Sequence, residues 1–347
     1  MTRMCFARFT LSLAAAFGVA SVTDALAQAW VPAPGEGTVG VAFQTMNVKY
    51  HLASTTRIDA GQIDTNVLLT DVSYGLTKRI AVDLALPFVS SRYTGNRPHP
   101  GTNVDDGNYR STFTDFRFSM RYNLTRDGAV ITPYVGTIMP SHDYAFYGHA
   151  ANGQQLRELQ FGVYAAKLFD RSVPGLFASG RYSFGFVEKV LDISHNRSSA
   201  DLEIGYFFTP AFRAFAMANG QYSHGGIEFP AAGLSALPPV QRPVHDVIQR
   251  VHALDLGAGA AYSMSESFDV FGSFARLVAG RNGHALNRSI TVGATWSFAR
   301  KSNATDRITA SAPGSVTAAY KQAQDHRESS AGTRQRRSLV RCICQKS

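Results

Sequence analysis

Cysteine is missing from residues 28–298; the three copies in this 347-residue chain are Cys5, Cys342 and Cys344. No internal disulfide can brace the body of the protein, even in a compartment that would permit one. Beyond the first residues the chain also lacks any uninterrupted apolar run of the ~18 residues that a membrane-crossing helix needs. If it enters a membrane it must do so as a closed barrel, because only helices and barrels satisfy every backbone polar group in lipid. A basic excess is lacking where it would count. The formal charge is +9, but residues 28–298 carry 22 Lys and Arg against 21 Asp and Glu, and the surplus lies in the ends. The body therefore offers no electrostatic case for nucleic acid. Walker loop, dinucleotide fingerprint, CxxC and HExxH are all absent, so no cofactor is expected.

What is present begins with an export signal. Arg3 and Arg8 precede the apolar run Phe9–Ala20, and Ala25-Leu26-Ala27 follows as a small-x-small cleavage pattern. Residues 1–27 read as a signal peptide cut after Ala27. The apolar run is too short for a helical anchor, and Cys5 lacks a lipoprotein-like context.

The stretch Ser289–Phe298, SITVGATWSF, alternates strictly: Ile290, Val292, Ala294, Trp296 and Phe298 against small or polar residues. Period two means a strand with one apolar and one wet face. Twelve such segments are predicted, near 38–51, 63–76, 80–93, 112–124, 130–141, 156–169, 175–190, 197–208, 212–224, 247–262, 267–279 and 287–298. Short connectors, such as that containing Asp127-Gly128, take turns with longer ones at 52–62, 94–111, 142–155, 191–196, 225–246 and 280–286. Short turns alternating with long loops are the habit of outer-membrane barrels. The mean hydropathy of −0.10 fits, since alternating strands average out.

The faces agree. In 112–124, Thr114, Phe116, Phe118, Met120, Tyr122 and Leu124 form an outward set, and Asp115, Arg117, Ser119, Arg121 and Asn123 an inward one. Tyr74, Tyr93, Tyr122, Phe169, Phe208, Tyr262 and Trp296 fall near strand ends, where an interfacial girdle belongs. Met217 and Phe271 sit on the presumed inner face and fit badly. Pro87, Pro133 and Pro140 fall inside strands, so bulges are expected there. From Ala299 to Ser347 the periodicity stops and the composition reads as a disordered tail. Phe298 would be the terminal aromatic by which outer-membrane assembly machinery recognises a last strand.

The inner face is expected to hold Asp71, Asp83, Asp115, Arg117, Arg121, Glu158, Arg181, Asp201, Glu203 and Asp255. Two readings stay open: a polar conduit that selects a solute, or ion pairs that merely fill the bore. Loops 94–111 and 225–246 are either lids or plain surface loops. His142, Asp143 and His149 lack further ligands nearby, so no metal is expected. His195 lies near Ser198 and Ser199, and Ser223 near His224, but no extended hydrolase motif surrounds either group.

The run from Asn66 to Tyr93 resembles the second and third strands of the outer-membrane transporters named for the MetA pathway of phenol degradation. Tyr74-Gly75-Leu76-Thr77, Arg79, Val82, Pro87 and Tyr93 carry the likeness. Asp115-Phe116-Arg117 through Tyr122, and Pro133-Tyr134 to Pro140-Ser141, look like that family's next strands. The resemblance implies a barrel moving hydrophobic or aromatic compounds; it transfers no site residues, and the tail from Ala299 departs from it. The expectation is thus an all-β, closed antiparallel up-and-down transmembrane barrel of twelve strands in the bacterial outer membrane. It would contact lipid and pass a small solute passively, with no plug domain before residue 38. A sealed structural or adhesive barrel is the alternative, and a membrane hydrolase a third.

Overall fold

The computed structural model describes residues 29–99, 102–125, 128–170, 172–299 and Tyr320. The expected signal peptide and nearly all of the expected tail lie outside these residues, as does Asp127 of the predicted turn.

Twelve long strands form one antiparallel sheet. They are β1 (Glu36–Ala53), β2 (Gln62–Gly75), β3 (Ile80–Thr94), β4 (Asp115–Tyr122), β5 (Ala129–Pro140) and β6 (Glu158–Leu168). Then follow β7 (Leu176–Val187), β8 (Arg197–Phe207), β9 (Phe212–Ser223), β10 (His252–Ser263), β11 (Phe268–Arg281) and β12 (Gly283–Ala299). Each pairs with its sequence neighbour, and β12 returns to β1 from Glu36 opposite Ala299 to Leu52 opposite Gly283. The sheet is a closed barrel, which leaves no long unpaired edge. A short strand, Thr56–Ile58, folds back on the tip of β1, and another, Arg110–Phe113, extends β4 against β3.

Alternation puts the apolar face outside. Phe43, Leu68, Leu84, Phe118, Met120, Phe161, Leu202, Ile204, Phe274, Ile290, Val292 and Trp296 are all exposed. On the other face of β12, Ser289 and Thr291 are buried, and both accept hydrogen bonds from Gln44 Nε2 across the β1–β12 seam, at 3.0 and 3.2 Å. An outward apolar belt of this extent is a liability in water and a requirement in lipid.

Several expectations need correction. Pro87 does face a bulge: Phe88 pairs with Phe113 but Ala85 with Arg117, so one extra residue is absorbed. Thr114 occupies it, buried, with its N–H donated to the Pro87 carbonyl, and so leaves the outward set. Pro133 also faces a bulge: Arg121 pairs with Tyr134 but Thr125 with Ile131, and the N–H groups of Leu124 and Thr125 both reach the Ile131 carbonyl. Pro140 needs none, because it ends its strand. Strand β10 begins at His252 rather than 247, because His245–Ile248 form a turn of helix. The connection expected at 280–286 shrinks to Asn282, whose φ of 58° is followed by Gly283 at 73°. Tyr93 belongs to the interior rather than a girdle: it is 1% exposed and donates its hydroxyl to the Ala60 carbonyl at 2.6 Å.

The inner wall is not polar throughout. Toward the short turns, Ala29, Trp30, Tyr134, Tyr164, Phe177, Phe207, Phe215 and Tyr320 form an apolar core, with Met217 packed against it. Inner aromatics there lie over glycines directly across the ladder. A Cβ on Gly205 would meet Phe177 Cζ at 2.4 Å, one on Gly259 would meet Phe215 Cζ at 2.5 Å, and one on Gly293 would meet Phe271 Cζ at 2.4 Å. Met217 lies over Gly257 in the same way, its Cε 2.7 Å from where a Cβ would stand, so such pairs explain why Met217 and Phe271 misfit a polar inner face. Ahead of β1, Ala29 and Trp30 enter the bore, held by Thr132 Oγ1 and Arg121 Nη1 on their carbonyls at 2.6 and 3.2 Å.

Candidate functional site

The charged residues lie in the bore, both within the aromatic layer, where Arg121 pairs in register with Tyr134 and Arg213 with Phe207, and above it. Arg121, 1% exposed, clasps Asp83 with Nε and Nη2 at 2.8 and 2.7 Å and donates to Ser73 Oγ at 2.7 Å. Arg181 pairs with Asp201, its register partner on the next strand, at 2.6 Å. Glu158 pairs with Arg197 and accepts from Gln160 Nε2 at 2.7 Å, and Glu203 faces Arg213 at 3.4 Å. Asp71 fills the gap left by Gly40, where a Cβ would lie 2.2 Å from its Oδ1. Desolvation makes such groups stable only in pairs; a lone charge buried there would be costly.

All ten predicted inner residues therefore lie on the wall opposite the exposed apolar side chains, but they do not form one cluster. Arg121–Asp83 and Arg181–Asp201 join members of the set. Glu158 and Glu203 instead use Arg197 and Arg213, which sequence reasoning had not singled out; both sit on the inward phase of β8 and β9.

A polar cavity of about 130 Å³ lies between Asp115, Arg117, Arg181, Arg197, Asp201 and Asp255. Asp255 Oδ1 is buried there without a hydrogen-bond partner. A second, more apolar cavity of about 100 Å³ lies between Met46, Ile63, Val67, Val89, Phe146 and Val247. The two share Asn152, Gly153 and Gln154, so the loop 141–157 enters the bore and separates them. It is moored by the Tyr144 hydroxyl on the Asp115 carboxylate and by Gln154 Oε1, which accepts from Arg197 Nη1 at 3.0 Å. Burial first, then the Asp115 carboxylate, pushes the Tyr144 hydroxyl well above its usual range, so it remains a donor. Loops 94–111 and 225–246, read from sequence as either lids or surface loops, also turn inward, burying His99, Val104, Asp105 and His245, with Asp246 lining the upper cavity.

At the long-loop end five histidines converge. His51 and His284 are register partners on β1 and β12, with ring centroids 4.2 Å apart. His149 approaches His51 at 4.6 Å and His99 at 4.0 Å, and stacks on Tyr93 at 4.5 Å. His99 and His245 bring their Nε2 atoms to 3.4 Å, with Asp246 Oδ1 3.3 Å from His245 Nε2. Burial, then the neighbouring His99 and His284, depress His149 to about 4. Burial raises Asp105, but hydrogen bonds from the His99 side chain and from backbone N–H groups of His99, Ala150 and His149 prevail and hold it near 2. Of the residues weighed earlier, only His149 joins this group; His142 is exposed and bonds Thr112 and Ser141. Ser198 contacts His224 at 2.8 Å, beside the Tyr182 hydroxyl, in an exposed position.

No protein-family model and no curated protein matches the chain. Solved structures do. The porin NanC aligns at 10% identity over 74% of this chain and 98% of its own, with a TM-score of 0.44. The toluene transporter TodX of P. putida aligns at 10% identity over 81% and 94%, with a TM-score of 0.42. The COG4313 outer membrane channel from Pseudomonas putida F1 aligns at 13% identity over 76% of this chain and 96% of its own, with a TM-score of 0.59, and it is this likeness that places the chain in the fold of outer-membrane β-barrels.

Proposed function

We propose that the protein sits in the bacterial outer membrane and passes a small solute down its gradient through the bore. One observation carries this reading: a closed twelve-stranded cylinder keeps its apolar residues outside and encloses paired charges and two cavities inside. Lipid on the outer face and solute within are the partners this inversion suits. The export signal read at residues 1–27 supports the location. The cavities favour a small solute, and the apolar lining of the upper one, with the family resemblance, favours a hydrophobic or aromatic compound. The ten inner charges would line the path, and the loop 141–157 would set its width.

The test is flux. Full-length protein reconstituted in liposomes should admit a small aromatic solute faster than protein-free vesicles do, and should give discrete conductance steps in planar bilayers. Absence of both would remove the channel reading and leave the sealed barrel. That second reading draws on the aromatic layer around Trp30 and Tyr320.

A further inference from the structure

We infer that His99, His245 and Asp246 form a binding site for a divalent transition-metal ion of the zinc class, beside His284 of β12. The ion would fasten two of the long loops together at the barrel seam.

The argument starts from hydrogen-bond bookkeeping on the imidazoles. His245 Nδ1 lies 2.7 Å from the Arg242 carbonyl, which can only accept, so this nitrogen carries the proton. His99 Nδ1 lies 3.1 Å from the Asp105 carboxylate, again an acceptor, so it too carries its proton. In the neutral tautomers both Nε2 atoms then present bare lone pairs, and they face each other at 3.4 Å. Two lone pairs repel unless something positive lies between them. Two nitrogens at about 2.0–2.1 Å from one tetrahedral zinc are themselves about 3.4 Å apart.

The surroundings repeat the theme. His149 Nε2 lies 3.1 Å from the Arg97 carbonyl, which makes it the donor and leaves Nδ1 bare; that Nδ1 is buried without a partner, as is His51 Nε2. Asp246 supplies the anionic oxygen, 3.3 Å from His245 Nε2 and 3.9 Å from His284 Nε2. The ligand atoms of His99, His245 and Asp246 all lie within 4.8 Å of one another; those of His51, His149 and His284 form a neighbouring group, and His284 Nε2 borders the first at 3.9 Å from Asp246 Oδ1. Imidazole with one carboxylate suits zinc, copper, nickel or cobalt better than calcium or magnesium. Asp105 on His99 and the Arg242 carbonyl on His245 are the outer partners that orient metal-binding histidines. His99, His149 and His245 come from three separate loops, whereas His51 and His284 come from the strands that close the barrel. One ion on His99, His245 and Asp246 would tie two of these loops together beside those strands.

The experiment titrates refolded full-length protein in detergent with zinc chloride by calorimetry. Near one equivalent of zinc should bind with micromolar or tighter affinity, weakened at least tenfold by His245→Ala and by Asp246→Asn and unchanged by His142→Ala. Native protein loaded with cobalt(II) gives a readout that needs no variant: a four-coordinate nitrogen–oxygen site shows intense visible d–d absorption, lost on adding zinc. Substoichiometric zinc, or binding insensitive to His245 and Asp246, would overturn the site. So would pale, octahedral cobalt spectra, and a shared proton between His99 and His245 would then explain the short contact.

Discussion

At the scale of single residues the interior is a set of obligate partnerships. Arg121 illustrates this: it serves Asp83, Ser73 and the Trp30 carbonyl while almost fully buried. Arg121→Met should cost about 3–5 kcal/mol in urea unfolding, because Asp83 is left charged and unpaired. Adding Asp83→Asn should restore much of that loss, which a double-mutant cycle would reveal. The aromatic–glycine pairs make a second prediction. Gly259→Ala places a Cβ 2.5 Å from both Phe215 Cζ and the Gly272 carbonyl oxygen, one movable and one fixed. The expected loss is about 1–3 kcal/mol, seen as a lower unfolding midpoint. Which residues face inward was legible in the sequence, because period two is a local property. Who pairs with whom was not: Arg181 meets Asp201 through strand register, which hairpin lengths alone did not fix. The histidine group was invisible for a stronger reason, since its members come from five segments between His51 and His284 and share no local spacing.

Among elements, the loop 141–157 is the one whose position matters most to the bore. One of its two moorings is a single hydroxyl, since Tyr144 both donates to Asp115 and accepts the Gln155 N–H at 2.9 Å. Tyr144→Phe should loosen the loop by about 1.5–3 kcal/mol, the range for a hydrogen bond to a charged group. Hydrogen exchange across 141–157 should speed up while the strands stay protected, and any conductance should rise. Strand boundaries were readable to within a few residues except where tertiary demands intervened. Thr114 left its phase because Pro87 lacks an N–H and the neighbouring strand absorbed a bulge. The start of β10 slipped because His245–Ile248 coil into a helical turn that delivers His245 and Asp246 to the mouth.

At the scale of the whole molecule, the inversion of faces governs behaviour. An aspartate on the outer belt, as in Leu202→Asp or Ile204→Asp, should be tolerated less well than Asp255→Asn inside, which breaks no ion pair. At mid-bilayer Arg or Lys costs about 2–4 kcal/mol and Asp less than that, and folding yield into liposomes is the measurement. The seam between β1 and β12 has a further consequence. Gln44 and Ser289 meet across 245 positions of sequence, and no nearer pair of strands can substitute for them. Until the last strand arrives, the chain is an open ribbon with two bare margins of N–H and C=O groups. Assembly cannot reward partial progress with a smaller working cylinder, and the entropy of joining such distant margins makes it slow. Loss of the final strand should therefore behave as all-or-none, sending the product to aggregation or proteolysis instead of a weakened pore.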